Sequence, residues 1–208
     1  HFASSSDKKL LETISRPIAN SFGQTKPLFH SGLLATFSAI NDALTKYTDF
    51  VILDISGEIT DIIIVRHHTI ATIASIPVGT YTVARRLAKK TGQNITSAYS
   101  TLKLLGADIL QNHLHHDFDT LMADIKQEWL YDLMTVLNSY ETAGKNLPLV
   151  VVGDDQSTTV LGQWAKQVDS RPSILADEEL LADLYPSRRS PSRVTGHLLS
   201  QLFAQKYL

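Results

Sequence analysis

Two aspartates bracket a serine–glycine turn in Asp54-Ile55-Ser56-Gly57-Glu58-Ile59-Thr60-Asp61, and the stretches on either side are almost wholly apolar. A tight hairpin here lets backbone amides near Gly57 point outward, and the missing Cβ lets an anion such as phosphate come close to them. Asp54 closes an otherwise apolar strand and offers the hard oxygen that a magnesium ion prefers, with the ion keeping much of its water. Ser56 belongs to the same turn, and Thr60 adds a hydroxyl. The same residues also suit a plain hairpin in which Ser56-Gly57 satisfies the turn geometry and the two aspartates cap it. A plain hairpin does not account for an acidic residue at the end of a buried strand.

Other reactive side chains carry less. His113, His115 and His116 with Asp117 are residue types that hold zinc, copper or nickel, but neighbouring histidines diverge along a helix, and the cluster reads as a helix start. His67-His68 reads as a polar hairpin tip. Arg85, Arg86, Lys89 and Lys90 form one side of a helix, a solvated face rather than a surface for anionic lipid or an acidic partner. Asp124, Glu128 and Asp132 recur at four-residue steps, the exposed ridge of a long helix. No Gly-x-Ser-x-Gly stretch supplies a nucleophile elbow.

The elements that must position the turn follow from hydrophobic periodicity. Leu33, Leu34, Phe37, Ile40, Ala43 and Leu44 recur at helical spacing, which predicts a helix over Gly32 to Tyr47. Three β-branched runs follow, Phe50 to Ile55, Ile59 to Val65 and Thr69 to Ile76, and predict consecutive antiparallel strands. The first two are apolar at nearly every position, so both faces are covered by helices. Thr82 to Lys90 predicts an amphipathic helix, and Thr96 caps another that runs through Leu105 to Gly106. Asp117 to Tyr140 predicts the longest helix, with Phe118, Leu121, Ile125, Trp129, Leu133, Val136 and Leu137 inward. Leu149 to Val152 is a short apolar strand ending on Gly153, followed by a helix over Thr159 to Val168. Ser170 to Pro191 reads as irregular surface, and Thr195 to Tyr207 as a closing helix.

With 208 residues, 43% hydrophobic and 19% charged, the chain can bury a substantial core. Nineteen basic against 21 acidic side chains leave no electrostatic footprint for nucleic acid. The absence of cysteine removes disulfide, zinc-thiolate and cysteine-nucleophile chemistry and agrees with a reducing compartment. No apolar run approaches the roughly 20 residues that span a bilayer, and the first residues lack the features of a signal peptide. A chain that starts at His1 rather than methionine reads as a fragment or a processed product.

An aspartate, a turn glycine and a closing threonine–aspartate pair on strand–turn–strand resemble the second phosphate motif of the actin-like ATPases (the sugar kinase, heat-shock chaperone and actin superfamily), most closely FtsA and PilM. Other pieces fall in that superfamily's order. The helix Leu33 to Leu44 matches the one before the motif, and Ile76-Pro77-Val78-Gly79 with the helix after it resembles the third strand and glycine turn. Leu149 to Gly153 sits where the superfamily has its adenosine motif, and Thr195-Gly196-His197-Leu198-Leu199 resembles its closing helix. The resemblance runs from about Ser31 to the end. It implies an α/β, ribonuclease H-like lobe with a mixed five-stranded sheet, over residues 1–91 and 145–208, and a helical insert over 92–144. It also implies ATP with Mg2+ between this lobe and a preceding one, with Asp54, Ser56, Gly57 and Thr60 at the phosphates, Asp54 toward the metal, and Gly153 at the adenosine.

The departures are as specific. Gly153-Asp154-Asp155 puts two carboxylates where the superfamily has small residues, and these repel a nucleotide unless they point away or meet magnesium. Tyr99 and Leu102 occupy the places of an adenosine-holding glutamate and lysine; Lys103 lies one position off, and Tyr99 can stack on a base. The first phosphate motif is absent from these residues. Two functions follow: an ATP-binding assembly protein in cell division or pilus assembly, a weak ATPase at most, or a nucleotide-free scaffold for protein–protein contact. Both imply protein partners or self-association and a cytoplasmic site, at the inner face of the membrane through partners. A small-molecule kinase lacks a credible sugar-binding carboxylate.

Overall fold

The computed structural model describes residues 6–23, 27–107, 116–140, 147–153, 156–168, 172–176, 180, 199, 202–204 and 206. Helix α1 (Lys8–Ser21) and helix α2 (Gly32–Ala43) lead into strands β1 (Phe50–Ile55), β2 (Thr60–Arg66) and β3 (Thr69–Ile76). Helices α3 (Thr80–Thr91), α4 (Ile95–Gly106) and α5 (His116–Tyr140) follow, then strand β4 (Leu149–Gly153), helix α6 (Gln156–Ala165) and strand β5 (Ser173–Leu175). The five strands form one mixed sheet in the order β3-β2-β1-β4-β5. The two hairpin pairs are antiparallel, while β1–β4 and β4–β5 are parallel.

Strand alternation sorts the core into two layers. Val51, Leu53 and Ile55 of β1 face a cluster with Val83 of α3, Leu102 of α4, Trp129 and Leu133 of α5 and Leu161 of α6. Phe50 and Ile52 face the opposite cluster, with Ile40 of α2, Leu199 and Leu202. Both strands are therefore buried on two faces, which is why their sequences lack polar alternation. Each such aliphatic side chain contributes about 1.5–3 kcal/mol through burial, and Leu149 to Val152 of β4 are buried in the same way.

Several boundaries differ from expectation, each for a local reason. Strand β2 starts at Thr60 rather than Ile59, because the Ile59 carbonyl closes the turn on the Ser56 amide at 3.0 Å and the Ile59 side chain is exposed. Asn94, not Thr96, caps α4: its Oδ1 accepts from the Ser97 amide at 2.8 Å. The stretch expected to be irregular contains β5, paired with β4 from Ser173 to Leu175. Helix α6 starts at Gln156 and stops at Ala165. Of the expected closing helix, Leu199, Leu202 to Ala204 and Lys206 are described and helical; its other residues lie outside the described ones. Helix α1 was not anticipated. It contains Pro17 and buries no residue, and it is capped by Asp7, whose carboxylate accepts from the Leu10 amide at 2.9 Å.

At the far end of the sheet, His67 and His68 form a two-residue turn with both φ angles positive, 49° and 57°. Two positive φ values in succession suit the twist of a two-residue hairpin. Asp49 Oδ1 accepts from the His67 amide at 2.9 Å, Asn41 Oδ1 lies 2.9 Å from His68 Nδ1, and the Thr48 carbonyl takes the His68 amide. The His67 amide lowers the Asp49 carboxyl below its usual value, with the charges of His67 and Arg66 adding to the effect.

Candidate functional site

The turn after β1 is closed by Ser56 in three ways. Its amide donates to the Ile59 carbonyl at 3.0 Å, its hydroxyl donates to that same oxygen at 2.9 Å, and the Ile59 amide reaches the hydroxyl oxygen at 3.3 Å. The remaining turn carbonyls are taken by the start of α3. The Thr80 amide donates to Ser56 O at 3.0 Å, the Tyr81 amide to Gly57 O at 2.7 Å, and the Thr82 hydroxyl to Glu58 O at 3.3 Å. The first free amides of a helix thus find acceptors in the turn.

This arrangement decides where the turn amides go. In a trans peptide the N–H lies opposite the C=O of the same unit, and among the described residues no peptide bond is cis. Since Ser56 O and Gly57 O both face α3, the N–H groups of Gly57 and Glu58 face away from it. Among the described residues no acceptor takes either amide. Gly57 is half-buried and Glu58 exposed. The Glu58 carboxylate does not oppose an anion, because Arg85 grips it with Nη1 at 2.9 Å and Nη2 at 2.5 Å. Those bonds lower the Glu58 carboxyl and raise the Arg85 guanidinium relative to their usual values.

Two glycines permit the close approach. A Cβ on Gly79 would lie 2.4 Å from Ser56 O and 2.7 Å from Gly57 C, both rigid backbone. A Cβ on Gly57 would lie 2.5 Å from Cδ2 of the Tyr81 ring, so the ring occupies the space a side chain would need.

Asp54 stands beside the turn on the α2 side of the sheet. It is half-buried, and its Oδ2 accepts from the Thr36 hydroxyl at 3.1 Å. Directly opposite on β2 is Asp61, whose Oδ1 accepts from the Ser75 hydroxyl of β3. Like charges facing across strands are unfavourable, and each carboxylate is given a hydroxyl donor that offsets the repulsion. Two hard-oxygen groups at one strand end fit Mg2+, which is bound through one or two carboxylates and retains several waters. Among the described residues no group of three or more His, Cys, Asp or Glu side chains that could hold a metal occurs. Gly153 ends β4 alongside Ile55, so it shares the carboxyl edge of the parallel pair with Asp54, Ser56 and Gly57. Crevices at such edges are where open α/β sheets take ligands.

Thr60 is a correction. It pairs with Ile55, faces the opposite layer from Asp54 and is fully buried. Its hydroxyl donates to Val78 O at 2.7 Å and receives the Trp129 indole N–H at 3.4 Å. It cannot reach an anion at the turn; it satisfies buried polar groups behind it. Asp61, read from the sequence only as a turn cap and the close of the motif, is the residue that shares Asp54's face of the sheet. Tyr99 and Lys103 meet the turn through Tyr81: the Tyr81 and Tyr99 rings are 4.8 Å apart, and Lys103 Nζ is 4.9 Å from the Tyr99 centroid. Tyr81 was missed, since nothing local marks it.

Arg85, though exposed, pairs with Glu58, and Arg86 pairs with Glu128 at 3.0 Å; Lys89 and Lys90 are exposed as well. Asp154, Asp155, His113, His115 and the side chains of His116 and Asp117 lie outside the described residues. No described helix is long and apolar enough to cross a membrane.

No protein-family model and no curated protein matches the sequence. Solved structures do match the fold. MreB5 of Spiroplasma citri bound to ADP aligns with a TM-score of 0.62 at 13% identity, covering 98% of this chain and 66% of that one. The PilM–PilN type IV pilus biogenesis complex aligns at 0.57 and 11% identity, covering 88% and 54%. The ethanolamine utilization protein EutJ from Carboxydothermus hydrogenoformans aligns at 0.53 and 15% identity, covering 79% and 53%. The chain thus spans between about half and two-thirds of the length of these three proteins. With its mixed five-stranded sheet, flanking helices and strand-end turn, the chain has the actin-like ATPase fold.

Proposed function

We propose that the chain is the nucleotide-binding lobe of an actin-like assembly protein of the FtsA/PilM type, holding Mg-ATP between this lobe and a preceding one. The observation that carries the reading is the pair of outward amides at Gly57 and Glu58, beside the carboxylates of Asp54 and Asp61. Amides take the phosphate oxygens, and the carboxylates take the water shell of the ion. Gly153, at the neighbouring strand end, leaves room for the adenosine, with Tyr99 and Lys103 on α4 as its flank. We take residues 92–144 as the helical insert; of its described residues, Leu102 and Trp129 belong to the core cluster that includes Val51, Leu53 and Ile55 of β1. Nucleotide then sets lobe closure, and closure sets self-association or partner contact, in the cytoplasm or at the inner face of the membrane through partners. The nucleotide-bound MreB5 and the PilM–PilN complex support this reading by likeness of fold.

A second reading, a nucleotide-free scaffold with the same fold, is favoured by one observation: the Thr60 hydroxyl is buried under Trp129 and unavailable to a phosphate. Isothermal titration of the full-length protein with Mg-ATP separates the two. The first reading expects saturable binding that Asp54→Ala weakens at least tenfold, a loss of about 1.4 kcal/mol. No heat of binding at millimolar nucleotide favours the scaffold.

A further inference from the structure

We propose that Tyr81 is a positioning residue of the anion-facing turn: with the Thr80 amide holding the Ser56 carbonyl, it keeps the Gly57 and Glu58 amides outward whether or not a ligand is present. The role rests on the reading of that turn as a phosphate site, but the positioning itself is a property of the free protein. Glycine populates conformations closed to other residues, so the peptides on either side of Gly57 can rotate unless something holds them. A rotation of either unit would carry its N–H toward α3 and destroy the anion face.

Tyr81 opposes that rotation twice. Its amide donates to Gly57 O at 2.7 Å, which fixes the Gly57–Glu58 peptide plane. Its ring fills the volume where a side chain of Gly57 would begin, so the Cα cannot swing toward α3. The first contact is available to any non-proline residue at this position; the second needs a large flat side chain. Tyr81 is 44% exposed, so burial in the core does not explain its ring. What holds the ring in place is α4: Tyr99 packs on it at 4.8 Å, and Lys103 lies over Tyr99. The chain of contacts joins the turn after β1 to α4, more than forty residues on, and gives the departures at Tyr99 and Lys103 a common purpose.

The test uses the full-length protein as wild type, Tyr81→Ala and Tyr81→Phe. In nucleotide-free samples, 15N relaxation reads the order of the Gly57 and Glu58 amides. Wild type and Tyr81→Phe should both be near the rigid value of about 0.85, and Tyr81→Ala should fall below about 0.6 at these two amides alone. Binding of Mg-ATP should weaken roughly tenfold in Tyr81→Ala, the factor that corresponds to ordering one residue's backbone, and be unchanged in Tyr81→Phe. Equal order parameters in wild type and Tyr81→Ala overturn the proposal. If the order falls but affinity is unchanged, the turn is not the phosphate site and the role is overturned with it. If wild type binds no nucleotide, the function proposed above fails, while the relaxation data still decide whether Tyr81 holds the turn.

Discussion

Replacing Gly79 by alanine should separate the turn from α3. The new Cβ would stand 2.4 Å from Ser56 O, against an ordinary contact that begins at 3.4 Å, and it would also meet Gly57 C and O at 2.7 Å. Either α3 retreats by the difference of about 1 Å, or it stays and the overlap is absorbed as strain. A retreat stretches Thr80 N–H···O=C Ser56 from 3.0 Å and Tyr81 N–H···O=C Gly57 from 2.7 Å, to or beyond the roughly 3.6 Å at which a contact is no hydrogen bond. Two such bonds are worth about 1–3 kcal/mol together, and overpacking costs a similar 1–3 kcal/mol. For a chain of this size that corresponds to a fall in Tm of roughly 2–12 °C. At Gly57→Ala the atoms nearest the new Cβ are those of the Tyr81 ring, a side chain that can shift at a cost of about 0.5–1.5 kcal/mol. Urea unfolding of wild type and both variants checks the order. A loss at Gly79→Ala below about 0.5 kcal/mol, or smaller than that at Gly57→Ala, refutes the close docking of α3 on the turn.

Three further outcomes follow from the geometry. Thr60→Val leaves Val78 O and Trp129 Nε1 without a partner and should cost about 1–3 kcal/mol in urea unfolding, yet leave Mg-ATP affinity by titration calorimetry unaltered. Because the Asp49 carboxyl is lowered below 3.8 in the folded protein, its stabilising share is full above that pH and is lost as pH falls through the lower folded value; acid unfolding of Asp49→Asn should show a shallower slope there. Exchanging His67-His68 for Asn-Gly relieves two left-handed residues and should raise stability by about 1 kcal/mol, read as a shift of the urea midpoint.

The sheet was readable because its signal is local. Apolar runs at Phe50 to Leu53 and Ile62 to Val65 mean burial on both faces, and the covering helices announce themselves by period. The turn at Ser56-Gly57 was also readable; that β4 lies beside β1, which brings Gly153 next to Ile55, was not. What sequence spacing obscured was depth and distant contact. Thr60 looks like a ligand because a threonine beside an aspartate at a turn suggests one, but pairing with Ile55 sends it to the Trp129 side. Gly79 and Tyr81 act on the turn across more than twenty residues, and no local pattern encodes that. Helix α1 escaped notice because Pro17 interrupts it and none of its residues is buried, so packing added nothing to a weak signal.

The most direct test of the phosphate-turn reading is an amide NMR titration of the full-length protein with Mg-ATP. Hydrogen bonds from the turn to phosphate would move the Gly57 and Glu58 amide protons downfield with one saturable curve, and Asp54→Ala would shift that curve to higher concentration. Amide resonances of Gly57 and Glu58 that stay still while nucleotide binds elsewhere would contradict it.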